Sequence, residues 1–274
     1  MLNSLINIFS ASEAGPTVHI APGELFEIHG YAITNSIVFS WVCGLVIIAI
    51  LVGIARRMTI RPKGGITQVV EIGSDFITGL LENSLGDRDK ALKYAPYFVS
   101  IFFFIAITNI MGLLPGVGEA FTLNETPVFR AFTADLNGTL AAAVISMIMI
   151  QTFAIRESGF IKHLRHYFVG KLWNPFTYLI GFYELFGELI RVGSLALRLF
   201  LNVAIGEVII SVFSYLGKFA APITSFPFVF LEIGVALLQA YIFVMLSVTY
   251  LSLAIKHGHD DDHELEKTAE IMKI

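Results

Sequence analysis

Charge is scarce in this 274-residue chain. Asp, Glu, Lys and Arg make up 15% of it, where a soluble domain carries about 25%. That scarcity excludes an ordinary soluble domain. Cysteine is nearly absent: Cys43 stands alone in an apolar run, so no intrachain disulfide can form and the redox compartment is not readable. No Lys or Arg precedes Arg56. A secretory signal needs a basic n-region, so none is expected, and the spans themselves act as insertion signals. No internal repeat and no glycine-rich phosphate loop is visible. What is abundant is apolar: 55% of residues are hydrophobic, with a mean hydropathy of +0.74. The net charge of −4 matters less than where the charges fall. The class is an all-α polytopic membrane protein in one domain.

Residues 1–33 hold Gly15, Pro16, Pro22, Gly23 and the acids Glu13, Glu24 and Glu27. They read as a polar N-terminal arm, with His19 and His29 as ordinary surface histidines rather than ligands. The membrane region runs over 34–255. Its first span is about 34–55, followed by the basic, broken stretch RRMTIRPKGG. Residues 66–84 place Val69, Ile72, Phe76 and Leu80 at helical spacing, with Glu71, Asp75 and Glu82 elsewhere. This is too polar to cross, so it reads as an amphipathic surface helix or as one packed on the protein's own spans. The second span, about 94–114, contains Asn109 and stops at Leu114-Pro115-Gly116. The third, about 135–155, opens on Asp135 and Asn137; Asp135 suits a helix N-cap as well as an ion path. Residues 156–173 are basic and amphipathic. A stretch of about forty residues follows from Asn174, then a turn over 216–226, then a last apolar run over 226–255. Residues 256–274 read as a solvated tail.

The basic residues set the orientation. Arg56, Arg57, Arg61, Lys63, Arg88, Lys90 and Lys93 follow the first span, and Arg156, Lys162, Arg165 and Lys171 follow the third. The other connections carry only Arg130 and Lys218. Five crossings put every basic connection on one side, with the N-terminus outside and the C-terminus inside.

The forty-residue stretch is apolar, yet it holds Glu184, Glu188, Arg191, Arg198 and Glu207. Ionisable residues within a span mark ion paths or substrate sites by default. At 100° per residue, Glu184, Glu188, Arg191, Arg198 and Asn202 fall within about 80° of one another. Glu207, nine residues past Arg198, points about 180° away and lies roughly 13 Å further along the axis. Polar groups on two faces at two depths suit ions that enter from one side and leave on the other. The stretch is also too long to stand upright in a core about 30 Å thick, so a strongly tilted helical hairpin is expected. In such a hairpin, Arg198 with Gln239 and Glu207 with Glu232 share almost the same sum of residue numbers. Both pairs therefore fit one register. Buried polar groups need partners, and Glu232 and Gln239 are the strongly polar groups of the last run.

SLALRLFLNVAIGE, followed by LLQAYIFVMLSVTYLS, resembles the a subunit of F-type ATP synthases, the membrane stator against which the c ring turns. NIMGLLPG and TADLNGTLA are similar to that family's segments, and the likeness covers the chain from the first span onward. The resemblance implies that Arg198 faces the ring's carboxylates, with Asn202 on the same run and Gln239 supporting Arg198. It implies an outer half-channel lined by Glu207, Glu232, Asn109 and Asn137, and an inner one near Glu184, Arg191 and Ser194. Many relatives have Gly where this chain has Leu201, and some have His where it has Glu232. The implied partners are c-ring subunits carrying carboxylates, peripheral-stalk b subunits and the lipid bilayer, in a hetero-oligomeric complex with no nucleic acid and no cofactor. ATP chemistry would belong to those partners, this chain being non-catalytic. The implied setting is a bacterial plasma membrane, with protons as the expected ion.

The physics agrees with that implication. A ring carboxylate entering the bilayer favours its protonated form, and a nearby guanidinium favours its ionised form. Arginine cannot readily lose its charge, so Arg198 discharges each passing carboxylate without carrying the proton. Two alternatives compete. A secondary transporter for a small anion would use Arg198 as its binding site, but transporters often show repeats and interrupted helices. A haem or quinone redox subunit is disfavoured, because all seven histidines lie outside the confident spans. The HGHDDDH tail could bind a metal, but a solvated tail suits it better.

Overall fold

In the computed structural model, residues 23–28, 31–56, 64–113, 122–123, 126–127, 130–159, 175–217 and 220–271 are described. The elements run β1 (Glu24–Ile28), β2 (Tyr31–Thr34), α1 (Asn35–Ala55), α2 (Gly65–Leu85), α3 (Arg88–Gly112), β3 (Thr122–Leu123), β4 (Thr126–Pro127), a 3₁₀ turn (Phe132–Ala134), α4 (Leu136–Ser158), α5 (Pro175–Gly217) and α6 (Ala221–Ile271). Five helices are long and apolar enough to cross a membrane: α1, α3, α4, α5 and α6. The all-α polytopic reading with five crossings holds. The basic stretch over 57–63, the Leu114-Pro115-Gly116 stop and most of the amphipathic segment after residue 159 lie outside the described residues.

Exposed apolar side chains on α1 agree with a lipid setting. Phe39, Cys43 and Ile47 form a buried stripe at intervals of four, while Trp41, Leu45 and Ile48 are exposed. In water such a surface would be a large unfavourable patch. α2 is not among the crossing helices, and both sequence readings of it are realised. Ile77 and Leu81 are fully buried in an apolar cluster with Tyr94, Phe98, Phe153, Val244, Val248 and Leu251. Ile66, Val69, Ile72 and Phe76 remain exposed on a neighbouring face. α2 also lies very close to α3, since a Cβ on Gly73 would come within 2.7 Å of the Phe103 ring.

Local chemistry sets the element ends. Gly86 terminates α2 in the left-handed region (φ 69°), its N–H donating to the Glu82 carbonyl at 2.9 Å. Glycine adopts that conformation without Cβ strain. Asp87 then caps α3, its Oδ1 accepting from the Asp89 N–H at 2.9 Å. α3 therefore begins at Arg88, six residues before the expected span. Pro96 lies inside it, and Ser100 Oγ donates to the Pro96 carbonyl at 2.6 Å. Side-chain hydroxyls are among the groups that let spans tolerate proline.

One expectation gains detail and one needs correction. At the polar N-terminal arm, β1 and β2 pair antiparallel, with Phe26 opposite Ile33 and Ile28 opposite Tyr31. The aromatic and β-branched residues on either side of a glycine at position 30 are the usual chemistry of such a ladder. The turn expected over 216–226 is shorter. α6 already begins at Ala221 and includes Pro222 and Pro227. Proline is tolerated in a helix's first turn, where N–H groups have no intrahelical partner. Beside Pro227, Thr224 Oγ1 and Ser225 Oγ donate to the Ala220 and Ala221 carbonyls.

α5 has 43 residues, about 64 Å at 1.5 Å per residue, twice the thickness of a bilayer core. It cannot cross upright. α5 and α6 form the expected hairpin: Phe213 stacks on Phe228 with ring centroids 3.8 Å apart, and Gly217 faces Thr224. Proximity divides the chain into two compact units. The first takes in residues 1–44, 106–138 and 199–239, and the second 45–105, 139–198 and 240–274.

Candidate functional site

In the first unit, the Glu232 carboxyl group of α6 lies against α5 at Gly206, the neighbour of Glu207. The Glu232 charge acts electrostatically on Glu207. Gly206 makes the approach possible: a Cβ there would collide with the Glu232 carboxyl group. Glu232 is 9% exposed. Among the described residues no cation forms an ion pair with either acid.

Buried amides lie in the same unit. Asn109 is 2% exposed, and among the described residues neither its Oδ1 nor its Nδ2 has a hydrogen-bond partner. The same holds for Thr108 Oγ1, Thr133 Oγ1, Asn202 Nδ2 and Gln239 Nε2. Native interiors rarely leave such atoms unpaired, and the usual remedy is ordered water. Asn137 differs. Its side chain is exposed, and its backbone N–H donates to Asp135 Oδ1 at 3.0 Å. Asp135 is thus the N-cap of α4, one of its two expected roles.

In the second unit, Arg191, Ser194 and Arg198 are exposed on α5. The Arg191 guanidinium lies over the Tyr250 ring, 5.2 Å from its centroid, a cation–π arrangement. Among the described residues Arg198 has no ion-pair partner. Glu188 accepts from Gln151 Nε2 at 2.5 Å. The side chain of Glu184 lies outside the described residues.

Several of these residues escaped sequence reasoning. Gly206 had a signal, an isolated glycine inside a helical pattern, which often marks close packing. Gln151 and Tyr250 had none, because their roles depend on which helix they meet. Arg130, buried beside the Glu207 face, looked like a stray loop charge.

Comparison with known proteins bears on what this arrangement belongs to. The ATP synthase A chain family profile matches residues 37–252. The ATP synthase subunit a of Moorella thermoacetica is 29% identical over 241 residues, covering 88% of this chain and 99% of that protein. The ATP synthase subunit a 2 of Chlorobaculum tepidum is 32% identical over 261 residues, covering 89% of this chain and 70% of that protein. A third, the ATP synthase subunit a 2 of Syntrophotalea carbinolica, is 30% identical over 239 residues, covering 86% and 91%. With its five apolar helices and the matched region spanning all of them, this chain is a multi-pass membrane protein that belongs to the ATP synthase A chain family.

Proposed function

We propose that this chain is the non-catalytic a subunit in the membrane sector of an ATP synthase. Its partners are a ring of c subunits bearing carboxylates and the b subunits of a peripheral stalk. It passes ions, protons in the first place, through two offset half-channels and couples their flow to ATP synthesis. The observation that carries this reading is the layout of α5. An exposed arginine, Arg198, has no acid paired to it among the described residues, and nine residues later Glu207 lies within electrostatic reach of Glu232. An unpaired guanidinium on an apolar helix is unfavourable unless an anion arrives to meet it.

A ring carboxylate that reaches Arg198 is drawn toward its ionised form and releases its proton. Arg198 cannot carry that proton onward, so the ion cannot leak directly past it. Glu207 and Glu232 reload the next carboxylate by relaying a shared proton. Asn109, Asn202 and Gln239 hold the water that connects them, and their orphaned amide atoms support that role. Asn137, exposed at the start of α4, belongs to the outer mouth. Glu184, Arg191 and Ser194 belong to the inner path. The basic connections face the cytoplasm of a bacterial plasma membrane, so a cysteine at Lys162 should label from inside and one at Glu119 from outside.

The decisive experiment replaces Arg198 in the whole complex. Arg198→Ala should abolish ion-driven synthesis while passive ion flux persists or rises. Arg198→Lys should fail too, because an ammonium shifts its pKa readily when desolvated and has a different donor geometry. Near-normal coupled synthesis in Arg198→Ala would refute the reading. An anion transporter would instead lose uptake by this subunit alone, without dependence on a rotor.

A further inference from the structure

Arg130 is a buried cation in the segment that leads into α4. It is 6% exposed, rare for an arginine unless its charge is used. Its Nη2 donates to the Ala134 carbonyl at 3.2 Å, which ties the guanidinium to its own segment. That segment is fixed in turn: Ala131 and Ala134 are fully buried and pack with Val203 of α5. Val203 and Glu207 are one helical turn apart, on the same face. The face of α5 that receives the Arg130 segment therefore continues to Glu207. The charges of Arg130 and Glu232 both act on Glu207. Its charge reaches Glu207, and Asp135, five residues on in the same segment, accepts from the Asn137 N–H.

We propose that Arg130 is an electrostatic positioning residue for Glu207, a fixed buried guanidinium that sets the potential around the carboxylate without pairing with it. This role rests on the reading of Glu207 as an ion-path group. Arginine keeps its charge, so Arg130 neither carries the ion nor competes for it. It offsets the repulsion between the two carboxylates that Gly206 lets approach. Without it, the Glu232 charge would act on Glu207 with no opposing charge among the described residues, and the Glu207 side chain would be driven away.

The test reads the potential directly. In membranes containing the whole complex, a cysteine is placed at position 207, and its rates of reaction are measured with anionic sulfonatoethyl and cationic trimethylammonioethyl methanethiosulfonate. The ratio of the two rates cancels simple changes in access. Arg130→Gln should lower the anionic-to-cationic ratio by about threefold or more, as expected for loss of a unit charge nearby. Arg130→Lys should keep it within about twofold. An unchanged ratio in Arg130→Gln overturns the proposal, and so does a fall in Arg130→Lys as large as that expected for Gln. The lysine arm decides the matter if the glutamine variant does not assemble. Coupled synthesis in Glu207→Gln is measured alongside. Full activity there would remove Glu207 from the ion path and leave the probe ratio to judge Arg130 by itself.

Discussion

Glu157 and Glu232 are both carboxylates in helices that cross the membrane, and their surroundings are opposite. The Glu157 side chain is 14% exposed and lies among Lys93, Lys90 and the Tyr94 hydroxyl, which donates to it. Lys93 Nζ is 2.5 Å from its Oε1. Glu232 is buried against the backbone at Gly206 with a second acid, Glu207, beside it. A carboxylate surrounded by cations has its charge balanced and has no use for a mobile proton. A carboxylate facing another carboxylate needs one. The same side chain is a fastener in one place and a candidate relay in the other, and only its neighbours distinguish the two.

Four substitutions test that contrast, from the largest expected effect to the smallest. Glu232→Gln should reduce ion-driven synthesis by tenfold or more, roughly the range of general acid–base contributions. Thermal stability should stay level or rise, because a repulsive buried pair is relieved. A large fall in melting temperature would make Glu232 a fastener like Glu157. Gly206→Ala forces a methyl group into the Glu232 carboxyl. Synthesis should fall by about 3- to 10-fold through displacement of that group, as for misplaced catalytic groups. Unaltered coupling would show that the close approach is dispensable.

Glu157→Gln should invert the pattern. Synthesis per assembled complex stays near normal, while unfolding in detergent becomes easier by about 1–3 kcal/mol, since Lys93 and Tyr94 lose a charged partner. Proton flux that collapses in this variant would place Glu157 on the ion path. Tyr94→Phe removes one hydrogen bond of the same cluster and should be milder, about 1 kcal/mol. Its melting temperature should lie between those of the unaltered protein and Glu157→Gln, and a larger loss than Glu157→Gln would mean the hydroxyl, not the ion pairs, holds the cluster.

The sequence by itself determined the class, the five crossings and the hairpin of α5 and α6. Apolar run length is set by bilayer thickness, and hairpin pairing follows from the helical repeat, so neither needs tertiary detail. Tertiary structure decided what periodicity cannot encode. It turned Asp135 into a cap by bringing its Oδ1 to the Asn137 N–H, and it used the proline-containing stretch after residue 220 as helix rather than turn. It buried Arg130 within electrostatic reach of Glu207 and gathered cations around Glu157, while among the described residues none pairs with Glu232. These outcomes depend on contacts between residues far apart in the chain. A residue's type states which charge or hydrogen bond it can offer, whereas the fold states which group is there to receive it.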